Sequence, residues 1–190
     1  SILALLGFLF VFGNAQLIPY AVIVASAIGI LIPYMRFNIW GKAEQNRKIF
    51  MGDSGSLTLG FILGFLFVKS AMHNPPLMSA SPARFVLAYS LLIVPVFDVV
   101  RVILHRLRIR QPLFNADKNH IHHKLMRLGM TQHQALIFIL GLAVAYVALN
   151  LLLFPAVSIT CIVLIDVATF TFIQLLLTRK AERKKMKIAT

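Results

Sequence analysis

The chain has 190 residues, of which 59% are hydrophobic and 13% charged, with a mean hydropathy of +0.83. A soluble domain carries about 25% charged residues, so this deficit makes lipid the solvent. Nineteen Lys and Arg against six Asp and Glu give a formal charge of +13, but the basic residues stand at the ends of apolar stretches and no aromatic–basic pattern accompanies them. That arrangement argues against a nucleic-acid partner and for lipid headgroups and an anionic substrate.

A membrane-spanning helix needs roughly 20 mainly apolar residues. Ser1 to Phe12 is too short and reads as a partial span, stopped by Gly13-Asn14. It has no basic residue before it, so no cleavable signal peptide is expected. A start without Met, inside an apolar run, reads as the downstream part of something longer. Residues 17–35 form a full span with Tyr20 and Tyr34 as interfacial aromatics. A polar loop follows, then spans at 55–71 and 84–100 separated by a Pro-rich loop. A charged stretch from Asp98 to Arg127 precedes two final spans, 135–154 and 156–178, and a basic tail. The single cysteine, Cys161, lies in an apolar run and leaves the redox compartment open.

Alternating loops give the orientation. Arg36 to Lys48, Arg101 to Arg127 and the tail from Arg179 hold seventeen of the nineteen basic residues, whereas the opposite side has only Lys69 and Arg84. By the positive-inside rule both polar loops and the tail face the cytoplasm. The chain therefore reads as one all-α membrane domain, 1–190: a polytopic transmembrane helix bundle with cytoplasmic catalytic loops.

The first polar loop ends in Lys48-Ile49-Phe50-Met51-Gly52-Asp53-Ser54-Gly55-Ser56, directly before a span. Small residues at a helix N-terminus suit an anion. Asp53 can hold Mg²⁺, which takes one or two carboxylates plus phosphate oxygens. Lys48 offers a charge to phosphate and Phe50 a ring to a base. On pattern alone, helix capping by Asp53 or Ser54 is preferred. Gly60 and Gly64 read as a close-packing face.

In the second loop Asp98, Arg101 and His105 share a helix face. An aspartate so near the membrane is costly unless paired or functional, and an Asp98–Arg101 ion pair is the plain alternative. Arg108 and Arg110 read as a solvated basic face. Then comes Asp117-Lys118-Asn119-His120-Ile121-His122-His123-Lys124-Leu125. If it is helical, His120, His123 and Arg127 share a face. Imidazoles can bind metal, contact phosphate or move protons. The basic flanks Lys118, Lys124 and Arg127 favour phosphate over zinc, whose closed structural sites have a different spacing. Asp166 sits mid-span, where a carboxylate is functional by default, and the sequence shows no partner for it.

These two motifs resemble the polyprenyl-phosphate N-acetylhexosamine-1-phosphate transferase family. The resemblance implies transfer of a sugar-1-phosphate from a UDP-sugar to a membrane polyprenyl phosphate, with release of UMP and with Mg²⁺ or Mn²⁺. The His-Ile-His-His form is more similar to the branch making undecaprenyl-diphosphate N-acetylglucosamine for lipopolysaccharide and related cell-envelope polymers than to the muramoyl-pentapeptide branch. It implies a multi-pass protein of the bacterial cytoplasmic membrane, with a homodimer admitted. By resemblance Asp53 is the metal-binding aspartate, Phe50 lies beside the uracil, and His120, His122 and His123 line the diphosphate and sugar pocket. Lys48, Asp98, Arg101 and Asp117 are expected to contact substrate. The family also has an adjacent aspartate pair that this chain lacks. The chain is thus expected to correspond to roughly the C-terminal half of a family member and to lack essential catalytic groups.

Two rivals come from other classes. A transporter or assembly subunit predicts several paired intramembrane charges, and only Asp166 qualifies. A membrane zinc hydrolase predicts stoichiometric zinc on the histidines.

Overall fold

The computed structural model describes residues 1–41, 49, 51–72, 81–110 and 120–189, with side chains as far as residue 183. Among these the chain is all helical: α1 (Ile2–Asn14), α2 (Ile18–Trp40), α3 (Gly52–Ala71), α4 (Pro82–Arg108), α5 (Ile121–Arg127), α6 (Gln132–Leu153) and α7 (Ile159–Ala189). They group into two compact units, Ser1–Leu91 and Leu92–Thr190.

In the first unit, α1 ends by a mechanism that its Gly13-Asn14 signal does not suggest. The helix runs through both residues, and Gln16 takes the left-handed conformation at φ 53°. Gln16 N–H then donates to Gly13 O and Leu17 N–H to Phe12 O, the double bond of a Schellman stop. Pro19 opens α2 in its first turn, where a missing N–H costs nothing. The core holds Leu5, Phe8, Phe12, Val24 and Leu66, all fully buried. Rings continue it from Phe12 to Tyr20 (5.4 Å) and from Tyr20 to Phe65 (6.1 Å). Lys69 at the end of α3 lies 5.2 Å above the Tyr20 ring at the start of α2, so these two helices run antiparallel. Gly7 lets α1 approach Leu91, because a Cβ there would collide with the leucine side chain. Gly60 and Gly64 are not a packing face among the described residues: an added Cβ at either meets nothing within 4 Å.

In the second unit, α4 runs eight residues past the apolar stretch, and α7 continues beyond Thr178 into the basic tail. Ile121, Leu125 and Ala135 form a buried cluster with Met130, Ile139, Leu142 and Leu177. Phe97 meets Phe170 edge-on at 5.6 Å. Thr131 and Gln134 close a reciprocal capping box at the start of α6, leaving His133 exposed. Asp166 finds its partner on the neighbouring helix: Asn150 Nδ2 donates to Asp166 Oδ2 at 2.9 Å, with both residues fully buried. Nearby, Tyr146 Oη lies 3.2 Å from Thr169 Oγ1. Together these pairs stitch α6 to α7 by interhelical hydrogen bonds.

The end of α5 repeats the Schellman pattern, with Gly129 at φ 93°, Gly129 N–H to Met126 O and Met130 N–H to Leu125 O. Gly129→Ala is expected to lower the stability of the second unit by about 1 kcal/mol, because a Cβ disfavours left-handed backbone. Denaturant unfolding in detergent would register this, and an unchanged midpoint would refute it.

Among the described residues five helices, α2, α3, α4, α6 and α7, are long and apolar enough to cross a membrane. Phe61 and Leu152 are each 76% exposed and Leu57 73%. In water such side chains would be a liability; a lipid surround removes it. The chain is a multi-pass helical membrane protein.

Candidate active site

Asp98 is the centre of the charged cluster in the second unit. It sits on the polar end of α4, and its residue is 6% exposed. Oδ1 accepts from Arg101 Nη2 at 2.9 Å and Nε at 3.3 Å, the i,i+3 pair expected from the sequence. Oδ2 accepts from the backbone N–H of Ile121 at 3.2 Å and lies 3.0 Å from His120 Nδ1. One carboxylate therefore does two things. It holds a cation on its own helix, and it caps α5 across the unit in a place where His120, the N-cap residue, supplies no side-chain cap. A carboxylate at a helix N-terminus also meets the positive end of the peptide dipoles.

This geometry assigns the histidine tautomer. With Asp98 ionised, only an N–H at Nδ1 of His120 makes the contact favourable, so Nε2 is left to accept a proton or, once protonated, to donate one. His120 precedes the helix rather than lying within it. Of the expected shared face of His120, His123 and Arg127, the last two remain together on α5, and the three imidazoles form a row of rings. His120 and His122 stand 6.1 Å apart, nearly parallel at 12°, and His122 and His123 stand 4.0 Å apart. Desolvation, and then the charges of His123 and His120, push His122 below the usual imidazole range, against a smaller upward pull from Asp98.

Such a row responds to anions. A bound phosphate favours imidazolium, so it raises the His122 pKa from its depressed free value. Affinity for inorganic diphosphate is then expected to be flat below the free pKa, to fall as pH rises through it, and to level off above the bound value. Calorimetric titrations between about pH 5.5 and 8 would show this. His122→Asn should flatten the curve, and a pH-independent wild-type affinity would contradict the assignment.

The structure departs from the sequence expectations at several positions. Lys124, one of the basic flanks of the histidine motif, turns inward: its Nζ donates to Gln174 Oε1 at 3.0 Å and Thr178 Oγ1 at 2.8 Å on α7. Its spacing from Ile121 and Leu125 places it on the buried face of α5, a signal available in the sequence. Arg108 and Arg110 are exposed, as expected of a solvated basic face, whereas Arg106 on the same helix is 5% exposed. His105 is exposed and does not appear among the partners of Asp98. Lys48, Phe50 and Asp117 lie outside the described residues.

In the first unit, Asp53 is exposed in the first turn of α3. The preferred capping reading fails. Met51 is the N-cap residue, no side chain caps the helix, and Gly52 turns the chain in at φ +66°. Ser56 and Thr58 spend their hydroxyl hydrogens on the carbonyls of Asp53 and Ser54, at 2.9 and 2.8 Å. The first-turn N–H groups thus remain for water or an anion, and the Asp53 carboxylate keeps its oxygens. Among the described residues no three His, Cys, Asp or Glu are grouped to hold a metal ion. A single hard carboxylate still fits Mg²⁺ or Mn²⁺ bound jointly with a diphosphate.

The described residues thus combine an apolar multi-pass scaffold with a basic, histidine-rich cluster in the second unit and an exposed carboxylate at a helix start in the first. Residues 1–71, which include Asp53, match the family model described as Glycosyl transferase family 4. The chain is 34% identical over 122 residues to the undecaprenyl-phosphate alpha-N-acetylglucosaminyl 1-phosphate transferase of Yersinia pestis, which covers 64% of this chain and 32% of that protein. It is 33% and 32% identical over 112 residues to the proteins of the same name from Salmonella typhi and Escherichia coli K12, which covers 59% of this chain and 29% of each. The chain thus spans about a third of the length of the curated relatives it matches. No solved structure matches it.

Proposed function

We propose that the chain contributes to a transferase that moves N-acetylglucosamine-1-phosphate from UDP-N-acetylglucosamine to undecaprenyl phosphate at the cytoplasmic face of a bacterial inner membrane. An oxygen of the lipid phosphate attacks the β-phosphorus of the nucleotide sugar. The bond from that phosphorus to the bridging oxygen breaks, and the oxygen leaves on UMP. The product is the lipid-linked sugar diphosphate, the first intermediate of a cell-envelope polysaccharide.

The observation that carries this reading is the Asp98-held row of His120, His122 and His123, together with the similarity to three transferases of that name. Phosphoryl transfer asks the protein mainly for positioning and charge stabilisation. Imidazoles oriented by a buried carboxylate can donate to phosphate oxygens, and the Nε2 of His120 can hold or release a proton. Asp53 would hold Mg²⁺ or Mn²⁺, which when bound neutralises diphosphate charge. Lys48 and Phe50 remain assigned to phosphate and uracil, and Asp117 to substrate.

UMP release by the full-length protein in bilayers, from UDP-N-acetylglucosamine and undecaprenyl phosphate, tests the reading. Release that requires both substrates and a divalent cation supports it. Binding of the nucleotide sugar without turnover, under any cation, would contradict it.

A further inference from the structure

We propose that Lys124 is a positioning residue whose hydrogen bonds to Gln174 and Thr178 pin the histidine helix α5 to α7 and so fix where His122 and His123 stand. The inference rests on the transferase reading for its kinetic consequence, but on geometry for the pin itself.

Lys124 is 8% exposed, and its neighbours on the same face of α5, Ile121 and Leu125, are buried in the apolar cluster with Ala135. A leucine at 124 would complete that apolar face without removing a charge from water. The ammonium therefore costs desolvation, and what it adds is direction. Apolar contacts are nonspecific about rotation of a seven-residue helix, whereas two hydrogen bonds from one atom to fixed acceptors are not.

The acceptors are themselves set. Thr178 Oγ1 gives its hydrogen to Gln174 O at 2.8 Å, so it meets Lys124 as an acceptor. Gln174 is 3% exposed, and its Nε2 has no hydrogen-bond partner among the described residues, so the bond from Lys124 is what fixes its amide at the other end. Helix α5 is thus hydrogen-bonded by Asp98 on α4 at its first residue and by α7 at its fourth. His122 and His123 lie between them.

The charges facing Lys124 are Arg101 and Asp98 from α4, Arg127 from α5 and Glu182 from α7. Desolvation first, then Arg101 and Arg127, bring its pKa down to about 8, against Asp98 and Glu182. The ammonium is therefore charged at neutral pH and close to losing its charge above it, and charged donors make the stronger bonds.

The test uses the full-length protein in bilayers, with Lys124→Met, Thr178→Val and Lys124→Arg variants. Two measurements are made on each: hydrogen exchange of the α5 amides, and kcat and KM for UMP release. Lys124→Met is expected to speed α5 exchange at least tenfold and to lower kcat about tenfold, with KM for the nucleotide sugar within twofold. Thr178→Val should move both in the same direction by less, and remains informative if Lys124→Met does not fold. Lys124→Arg, which keeps charge and donors, should recover most of the kcat. Unchanged α5 exchange in both Lys124→Met and Thr178→Val would overturn the pin. Faster exchange with unchanged kcat would reduce it to a brace with no bearing on the histidines. If the wild-type protein releases no UMP, the transferase reading fails, and α5 exchange alone decides the pin.

Discussion

Asp98→Ala is expected to cut UMP release to about a hundredth of wild type or less and to destabilise residues 92–190 by about 3 kcal/mol. Both effects come from one carboxylate that is 6% exposed and accepts from Arg101, His120 and the first N–H of α5. Its removal takes the carboxylate away from a partly buried guanidinium. It also uncaps α5 and frees the His120 ring to turn or change tautomer. Asp98→Asn separates the two effects. The amide keeps the shape, but its single oxygen cannot serve Arg101 and α5 together, and its NH₂ must face one of their donors. It should retain more stability than alanine while losing most of the turnover. An Asp98→Asn protein with wild-type kcat would refute the orienting role of this residue.

Asp53→Asn should have a comparable effect on turnover and none on folding. The side chain is exposed, caps nothing and begins a helix whose stop and start are set by backbone. Its loss therefore leaves packing intact. If Asp53 holds the divalent cation, kcat at a fixed Mg²⁺ concentration should fall by about 10²–10³, the scale of removing one group that stabilises charge in the transition state. Raising Mg²⁺ should recover part of it. UMP release read beside thermal unfolding checks both halves. Normal turnover by this variant would remove Asp53 from metal binding, and a lowered unfolding temperature would show a structural role that its exposure does not suggest. The two aspartates are thus distinguished by stability: one is buried among donors, the other stands at a helix start with its oxygens available.

Legibility followed the range of the interactions. The helices were readable because a bilayer demands long apolar runs and leaves their backbones no other way to bond. The Asp98–Arg101 pair was readable because its three-residue spacing is a local property of one helix. The Asp53 segment was readable as a helix start but not as to which residue caps it. Local pattern favours a side-chain cap, and the left-handed Gly52 makes Met51 the cap instead. The residues that follow the ends of α1 and α4 were illegible for a related reason. Gln16 and Arg110 adopt left-handed backbone that composition reserves for Gly or Asn.

By itself the sequence determined a membrane solvent, an all-helical class and a histidine motif with basic flanks, because these depend on composition and on residues near one another in the chain. The tertiary structure decided how that motif is held. It brought Asp98 to residues 120 and 121, turned Lys124 inward onto Gln174 and Thr178, and gave Asp166 its Asn150. Each of these contacts joins groups between 16 and 54 residues apart. Burial forces such polar groups to find partners, but only the packing of the helices settles which partner each one meets.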